Sequence, residues 1–245
     1  MTDQPHAAIT IRTGPVTMPG GRVILQPLDL QLSERRIAVI GRNGSGKTSF
    51  MRLLAGLIRA DHGAVTLQGA DMYKDRRAAL TQIGILFQNP DHQILMPTVT
   101  EELAFGLIQK GMARKEAEAE VARRLQVEGR SHWVDASTAT LSGGQKQYLC
   151  LLAILMMQPQ CLLLDEPFSG LDMPTALRLR RRLAQLPQQL ITIGHDPREL
   201  GDCTRVLWFE AGRVQMDGPP ETVLPVFTET MIRAGERDAD TDLAS

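Results

Sequence analysis

The sequence predicts an α/β fold: a mostly parallel sheet flanked by helices, with an N-terminal antiparallel β subdomain and an inserted α-helical subdomain. Three observations predict it. The apolar run Ile37 to Ile40 feeds straight into a glycine-rich loop and then a helical pattern, the order of a strand–loop–helix unit. The run Cys161 to Leu164 is apolar at every position, as a strand buried on both faces of a parallel sheet must be. Between them, the stretch 101–128 is rich in Ala, Glu, Lys and Arg with apolar positions at helical spacing, which marks inserted helix rather than sheet.

In chain order, Ile9 to Arg12 and Val23 to Leu32 alternate apolar and polar residues like half-buried strands, with a turn at Pro19-Gly20-Gly21. Thr48 to Ile58 reads as a helix with Phe50, Leu53, Leu54 and Leu57 on one face. Val65 to Leu67 and Ile83 to Phe87 read as strands, and a helix runs from Ser142 to about Met157. After the strand Cys161 to Leu164, a helix rich in Leu and Arg follows Pro174, then the strand Leu190 to Gly194. Val206 to Phe209 and Arg213 to Met216, around Ala211-Gly212, form a closing hairpin. The expected organisation is one domain over 1–235. Its core takes about 1–90 and 158–230, the helical subdomain about 91–157, and a polar flexible tail 236–245.

Composition narrows the function. Of 245 residues, 43% are hydrophobic and 22% charged, an ordinary soluble balance. A net charge of −1 gives no basic field for nucleic acid. Cys150, Cys161 and Cys203 lack metal-ligand spacing and read as reduced core residues. No stretch has the build of an export signal, and the longest apolar run, Tyr148 to Met157, falls short of the ~20 residues that span a bilayer. Service to a membrane would come from the side.

Gly41-Arg42-Asn43-Gly44-Ser45-Gly46-Lys47-Thr48 fits the P-loop pattern and sits between a strand and a helix, so the core reads as that of a P-loop NTPase. Glycines let backbone N–H groups turn onto phosphate oxygens, and the helix start adds positive potential. Lys47 would neutralise the β- and γ-phosphates, Thr48 would ligate magnesium, and Ser49 completes the loop's nucleotide contacts. Cys161 to Glu166 is an apolar strand ending in two carboxylates, the Walker B pattern: Asp165 for the magnesium shell and Glu166 to accept a hydrogen bond from the attacking water. No Asn-Lys-x-Asp guanine reader occurs.

Leu141-Ser142-Gly143-Gly144-Gln145 opens a helix with Ser142 at the N-cap position. This pentapeptide resembles the signature of the ABC ATPase family. Three further matches extend the resemblance: Gln88 after a strand, Ser169-Gly170-Leu171-Asp172 as the D-loop, and His195 at the end of the last core strand. The four motifs fall in the family's order. The resemblance implies that Ser142, Gly143, Gly144 and Gln145 meet a nucleotide held by a second ATPase subunit, with Ser142, Gly144 and Asp172 at the interface. It also implies a γ-phosphate contact for His195 and a magnesium or water contact for Gln88. ATP and Mg2+ are the implied ligands.

Two positions depart from the family. Met18 stands where relatives place an adenine-stacking aromatic, and no Phe, Tyr or Trp precedes Phe50. A thioether gives up part of the stacking, so GTP is expected to compete with ATP. Tyr148, three residues past Gln145, stands where relatives commonly have arginine.

Phe87-Gln88-Asn89-Pro90-Asp91-His92-Gln93-Ile94, with Pro97-Thr98-Val99 and Glu101 to Gly106, looks like the ATPases of energy-coupling factor importers. That resemblance implies a transmembrane T component docking its coupling helices in a groove formed by Ile94, Leu95, Met96, Val99 and Phe105. It also implies a substrate-binding S component and a peripheral position at the cytoplasmic face of the cell membrane. His92-Gln93-Ile94 and Pro187-Gln188-Gln189 resemble biotin systems more than cobalt or nickel ones. The alternatives are a cobalt or nickel importer and, further off, a soluble non-transport ABC ATPase.

Overall fold

The computed structural model describes residues 8–195, 200 and 202–236. The first part of the chain supplies β1 (Ile9–Thr13), β2 (Val16–Thr17), β3 (Val23–Leu25), β4 (Leu28–Leu32), β5 (Arg36–Ile40), α1 (Lys47–Leu54), β6 (Gly63–Leu67) and β7 (Ala70–Asp71). There follow α2 (Arg76–Gln82), β8 (Ile83–Leu86), α3 (Val99–Gln109), α4 (Arg114–Val127) and α5 (Gly143–Met156). The remainder is β9 (Cys161–Asp165), α6 (Met173–Ala184), β10 (Gln189–Ile193), β11 (Arg205–Glu210), β12 (Arg213–Gly218) and α7 (Pro220–Glu236).

The central sheet has the order β12-β11-β5-β10-β9-β8, parallel except for β12, which returns from β11 as the expected hairpin. An antiparallel sheet, β4-β1-β6-β7, forms the N-terminal subdomain. The expected strand Val23 to Leu32 is in fact two. Pro27 brings no N–H to a ladder, and the chain divides there: β3 pairs with β2 in a separate ribbon, and β4 joins β1. At the break Gln26 N–H donates to the Gly212 carbonyl at 2.8 Å, pinning the ribbon to the closing hairpin.

Strand alternation assigns each face of the central sheet. Ile37, Val39, Cys161, Leu163, Ile191 and Ile193 pack with Phe50, Met51 and Leu54 of α1 and with the antiparallel sheet. On the other face Leu162, Leu164 and Leu190 meet Cys150 and Leu151 of α5 and Leu179 and Leu183 of α6, while Ala38, Ile40, Val206 and Trp208 meet Val223 and Phe227 of α7. The helical subdomain has a core of its own, in which Val99, Leu103, Ala117, Val121, Trp133 and Leu149 are buried. Its predicted helical stretch divides into α3 and α4 at a turn containing Gly111 (φ +98°).

Other boundaries differ for local reasons. α1 stops at Leu54, with Ala55 as its C-cap and Gly56 at φ +66° beyond, the usual left-handed exit. α2 and α7 are helices that the sequence pattern does not predict. Pro219, Pro220 and Pro225 argue against α7 locally, yet Pro220 opens the helix, a position that tolerates proline. Val223 and Phe227, one turn apart, anchor it. The residues expected to form a polar tail lie, past Glu236, outside the described residues. Among the described residues no helix is long and apolar enough to cross a membrane.

Candidate functional site

The C-terminal ends of β5, β9 and β10 open onto one cleft of about 1170 Å³. Residues 41–49 line it together with Gln88, Glu166 and His195, so four of the motif segments foreseen in the sequence meet at one place. The loop can take no side chain at its start. Gly41 has φ +150°, and a Cβ there would lie 2.2 Å from the Phe209 carbonyl oxygen. Beyond it, the first turn of α1 leaves the N–H groups of Lys47, Thr48 and Ser49 without helical partners, at the positive end of the helix dipole.

Lys47 is buried, and its Nζ donates to the Gly41 and Arg42 carbonyls at 2.8 and 2.9 Å. Burial lowers its pKa, opposed by the carboxylates of Glu166, Asp165 and Glu210. The Ser45 hydroxyl is buried, with no protein partner among the described residues, as is one carboxylate oxygen of Glu210. The orphaned Ser45 hydroxyl and the free N–H groups at the start of α1, beside a buried ammonium, fit a polyanion such as a triphosphate.

Asp165 ends β9 with its carboxyl half-buried. Burial raises its pKa first and the neighbouring Glu166 second, against Lys47 and Arg52. An oxygen-rich set of the Thr48 hydroxyl, the Asp165 carboxylate and the Gln88 amide fits a hard divalent cation shared with phosphate. Glu166 turns sharply, with φ +43°, and its N–H donates to the Ile193 carbonyl at 3.0 Å. Its side chain is held from two sides: Gln88 Nε2 donates to Oε2 at 2.9 Å, and His195 Nδ1 lies 3.4 Å from Oε1. Gln88 Nε2 also reaches the Ser169 hydroxyl at 3.3 Å.

Ser142 is the N-cap of α5 in a full capping box: its hydroxyl accepts from Gln145 N–H, and the Gln145 side chain accepts from Ser142 N–H at 2.8 Å. Gly143 faces open space, whereas a Cβ on Gly144 would lie 2.5 Å from Thr175 Cγ2 in the first turn of α6. Asp172 caps α6, accepting from Thr175 N–H at 2.8 Å. Ser142, Gly143, Gly144, Gln145 and Asp172 do not line the cleft of the same chain.

The remaining expectations divide. Met18, 45% exposed, sits at the tip of the β2–β3 ribbon and does not line the cleft, where Arg22, Val23 and Ile24 of the same ribbon do. In the expected partner groove Leu95 and Phe105 are exposed and Ile94 and Met96 partly so. Val99, also expected there, does not line a groove: it is 0% exposed, packed into the core of the helical subdomain with Val121, Trp133 and Leu149. Leu95 is presented by buried Glu102, whose carboxylate accepts from Leu95 and Met96 N–H at 2.9 and 2.8 Å.

Three contributors escaped the sequence reading. Phe227 and Met231 bring α7 to the cleft wall, and their i, i+4 spacing with Val223 was the available signal. Gln147, buried in α5, donates to the carbonyls of Phe87 and Pro167, beside Gln88 and Glu166, at 3.3 and 3.4 Å. Glu210 stands near Lys47, and nothing in its local sequence marks it.

Residues 25–169 match the family model described as ABC transporter. The chain is 47% identical over 222 residues to the biotin transport ATP-binding protein BioM of Rhodobacter capsulatus, covering 90% of this chain and 95% of that protein. It is 34% identical to the energy-coupling factor transporter ATP-binding protein EcfA of Methanothermobacter thermautotrophicus, over 86% of this chain and 71% of the other. In fold it is similar to cbiO1 of Clostridium perfringens, described as part of the ABC transporter complex cbiONQ, with TM-score 0.76, 24% identity, and 97% and 98% of the two chains covered.

Proposed function

Because this chain belongs to the ABC transporter family and is an ATPase of that kind, we propose that it energises an energy-coupling factor importer whose cargo is a vitamin, biotin before others. The observation that carries the chemistry is Glu166, held between Gln88 and His195 at the mouth of the Lys47 loop. The observation that favours biotin is the resemblance over nearly the whole length to a protein named for biotin transport.

In this reading the loop N–H groups and Lys47 bind the β- and γ-phosphates, and Thr48, Asp165 and Gln88 would hold Mg2+, which supplies charge neutralisation on the phosphates. Glu166 accepts a hydrogen bond from the attacking water, oriented by the Gln88 amide on its other oxygen. His195, in reach of the same carboxylate, contacts the γ-phosphate. The Ser142 helix start, turned away from its own cleft, offers N–H groups and dipole to a nucleotide held by a second ATPase subunit, with Gly144 and Asp172 beside it at the interface. ATP favours the closed pair and ADP does not, and that difference in affinity moves the equilibrium. Exposed Leu95 and Phe105, with Ile94 and Met96, receive helices of a transmembrane T component, which works with a substrate-binding S component. The protein then acts peripherally at the cytoplasmic face of the membrane.

The test is affinity purification of the tagged full chain from membranes, followed by labelled-biotin uptake in cells carrying the wild type or Lys47→Ala. Co-purification of a transmembrane T component and uptake lost in the variant are expected. A wild-type complex that hydrolyses ATP but takes up no biotin overturns the cargo; a chain that brings down no transmembrane protein overturns the importer.

A further inference from the structure

Tyr148 has no place in the cleft. Its hydroxyl instead donates to Glu128 Oε2 at 2.5 Å, while Glu128 Oε1 accepts from Arg182 Nη2 at 2.8 Å and lies 3.0 Å from Arg124 Nη2. The Arg130 guanidinium lies over the rings of both Tyr148 and Trp133, 4.4 and 4.5 Å from their centroids. Glu128 is the C-cap of α4, its side chain 9% exposed. The cluster therefore joins three elements: α4 and α5 of the helical subdomain, and α6, which packs on the central sheet.

An enclosed carboxylate needs partners for its oxygens, and such a pair adds little stability over apolar packing of the same volume. What it supplies is a defined orientation. The apolar seam between α5 and α6, Cys150 and Leu151 against Leu179 and Leu183, would admit sliding. Near its front end the seam is touched at Gly144 and Thr175. Further back it is pinned by Tyr148, Glu128 and Arg182. Two points fix an angle where one would leave a pivot. The Nε atoms of Arg124, Arg130 and Arg182 are buried without partners among the described residues, so this cluster depends heavily on one carboxylate.

We propose that Glu128 is a positioning residue, a latch that ties the helical subdomain to α6 and sets where the Ser142 helix start stands relative to Lys47 and Glu166. The proposal rests on the reading that Ser142 meets a nucleotide held by a second ATPase subunit.

Arg182→Gln cuts the bond to the core and spares those inside the helical subdomain; Arg124→Gln cuts a bond within α4 and spares the latch. With the full chain, Arg182→Gln is expected to lower kcat for ATP hydrolysis roughly tenfold. Equilibrium binding of a fluorescent ATP analogue should stay within about twofold, since the Lys47 loop is untouched. Arg182→Lys, which keeps one charged donor, should recover most of the loss, and Arg124→Gln should stay near wild type. Equal losses in Arg182→Gln and Arg124→Gln overturn the latch. So does a kcat unchanged in Arg182→Gln, or one that falls only in step with Tm. A Ser142→Arg variant with wild-type turnover sinks the underlying reading instead, whatever Arg182→Gln does.

Discussion

Replacing Glu166 by glutamine keeps the size of the side chain and removes its charge and basicity. The carboxylate now accepts from the Gln88 amide at 2.9 Å and lies 3.4 Å from His195 Nδ1. In Glu166→Gln the new amide oxygen can keep accepting from Gln88, but the position beside His195 then carries an amide nitrogen, and the basic acceptor that faces water is lost. General-base catalysis contributes about 10²–10⁴-fold, and kcat should fall by that factor. ATP binding should not weaken. Glu166 is the foremost carboxylate acting on Lys47, and neutralising it takes one negative charge away from the place where the triphosphate binds. Phosphate release under saturating Mg-ATP measures the first effect; equilibrium nucleotide binding and light scattering of the ATP-bound protein measure the second. The variant should accumulate as an ATP-bound dimer. Turnover within a few fold of wild type would remove Glu166 from the chemistry, and loss of ATP binding would show that its role is to build the cleft.

Further outcomes follow from the geometry. Gly144→Ala forces a Cβ to within 2.5 Å of Thr175 Cγ2 and should cost about 1–3 kcal/mol in denaturant unfolding; adding Thr175→Ser removes that methyl and should recover most of the loss. Asp165→Asn should abolish hydrolysis yet raise the Tm of the nucleotide-free protein by roughly 2–4 °C at neutral pH. Burial and Glu166 raise the Asp165 pKa in the folded state, so its ionised form opposes folding above the usual carboxylate range, and the gain should vanish as pH falls through that range. Buried Arg36 donates to the carbonyls of Leu186, Gln188, Ala184 and Leu183 at 2.7, 2.8, 3.3 and 3.4 Å, closing the end of α6. Arg36→Ala should cost about 3 kcal/mol by denaturant titration, without altering ATP affinity.

The cleft was legible because its parts are backbone devices with local signatures. A strand end, a glycine that must reach φ +150°, a helix start and a second strand ending in two carboxylates each constrain residue type over a few positions. The central sheet was legible for a similar reason, since β5 and β9 are apolar on both faces. What failed locally was decided by distant partners. Pro27 could have marked a bulge or an edge, and the pairing of Gln26 with Gly212 makes it a break between sheets. Val99 carries the same apolar signal as Leu95, yet one is wholly enclosed and the other 67% exposed, because Glu102 turns the Leu95 loop outward.

Polar residues in the helical subdomain show the same limit more sharply. Glu128 and Arg182 lie 54 residues apart in sequence and stand in segments that read as solvated charge, Glu-Gly-Arg at one end and a run of arginines at the other. Periodicity cannot tell a charged residue facing water from one facing a buried counter-charge. Only the packing of α5 on α6 brings them together, and that packing is itself set by ordinary apolar residues such as Leu151 and Leu179. The same holds for Gln147. Its neighbours in sequence say no more than that a helix continues, while its amide reaches the carbonyls that flank Gln88 and Glu166. Motifs thus report where the phosphate is handled. How the Ser142 helix is held against the core is written in side chains whose meaning exists only once the fold has formed, and for that reason the motifs could be matched while the departure at Tyr148 became readable only through its bond to Glu128.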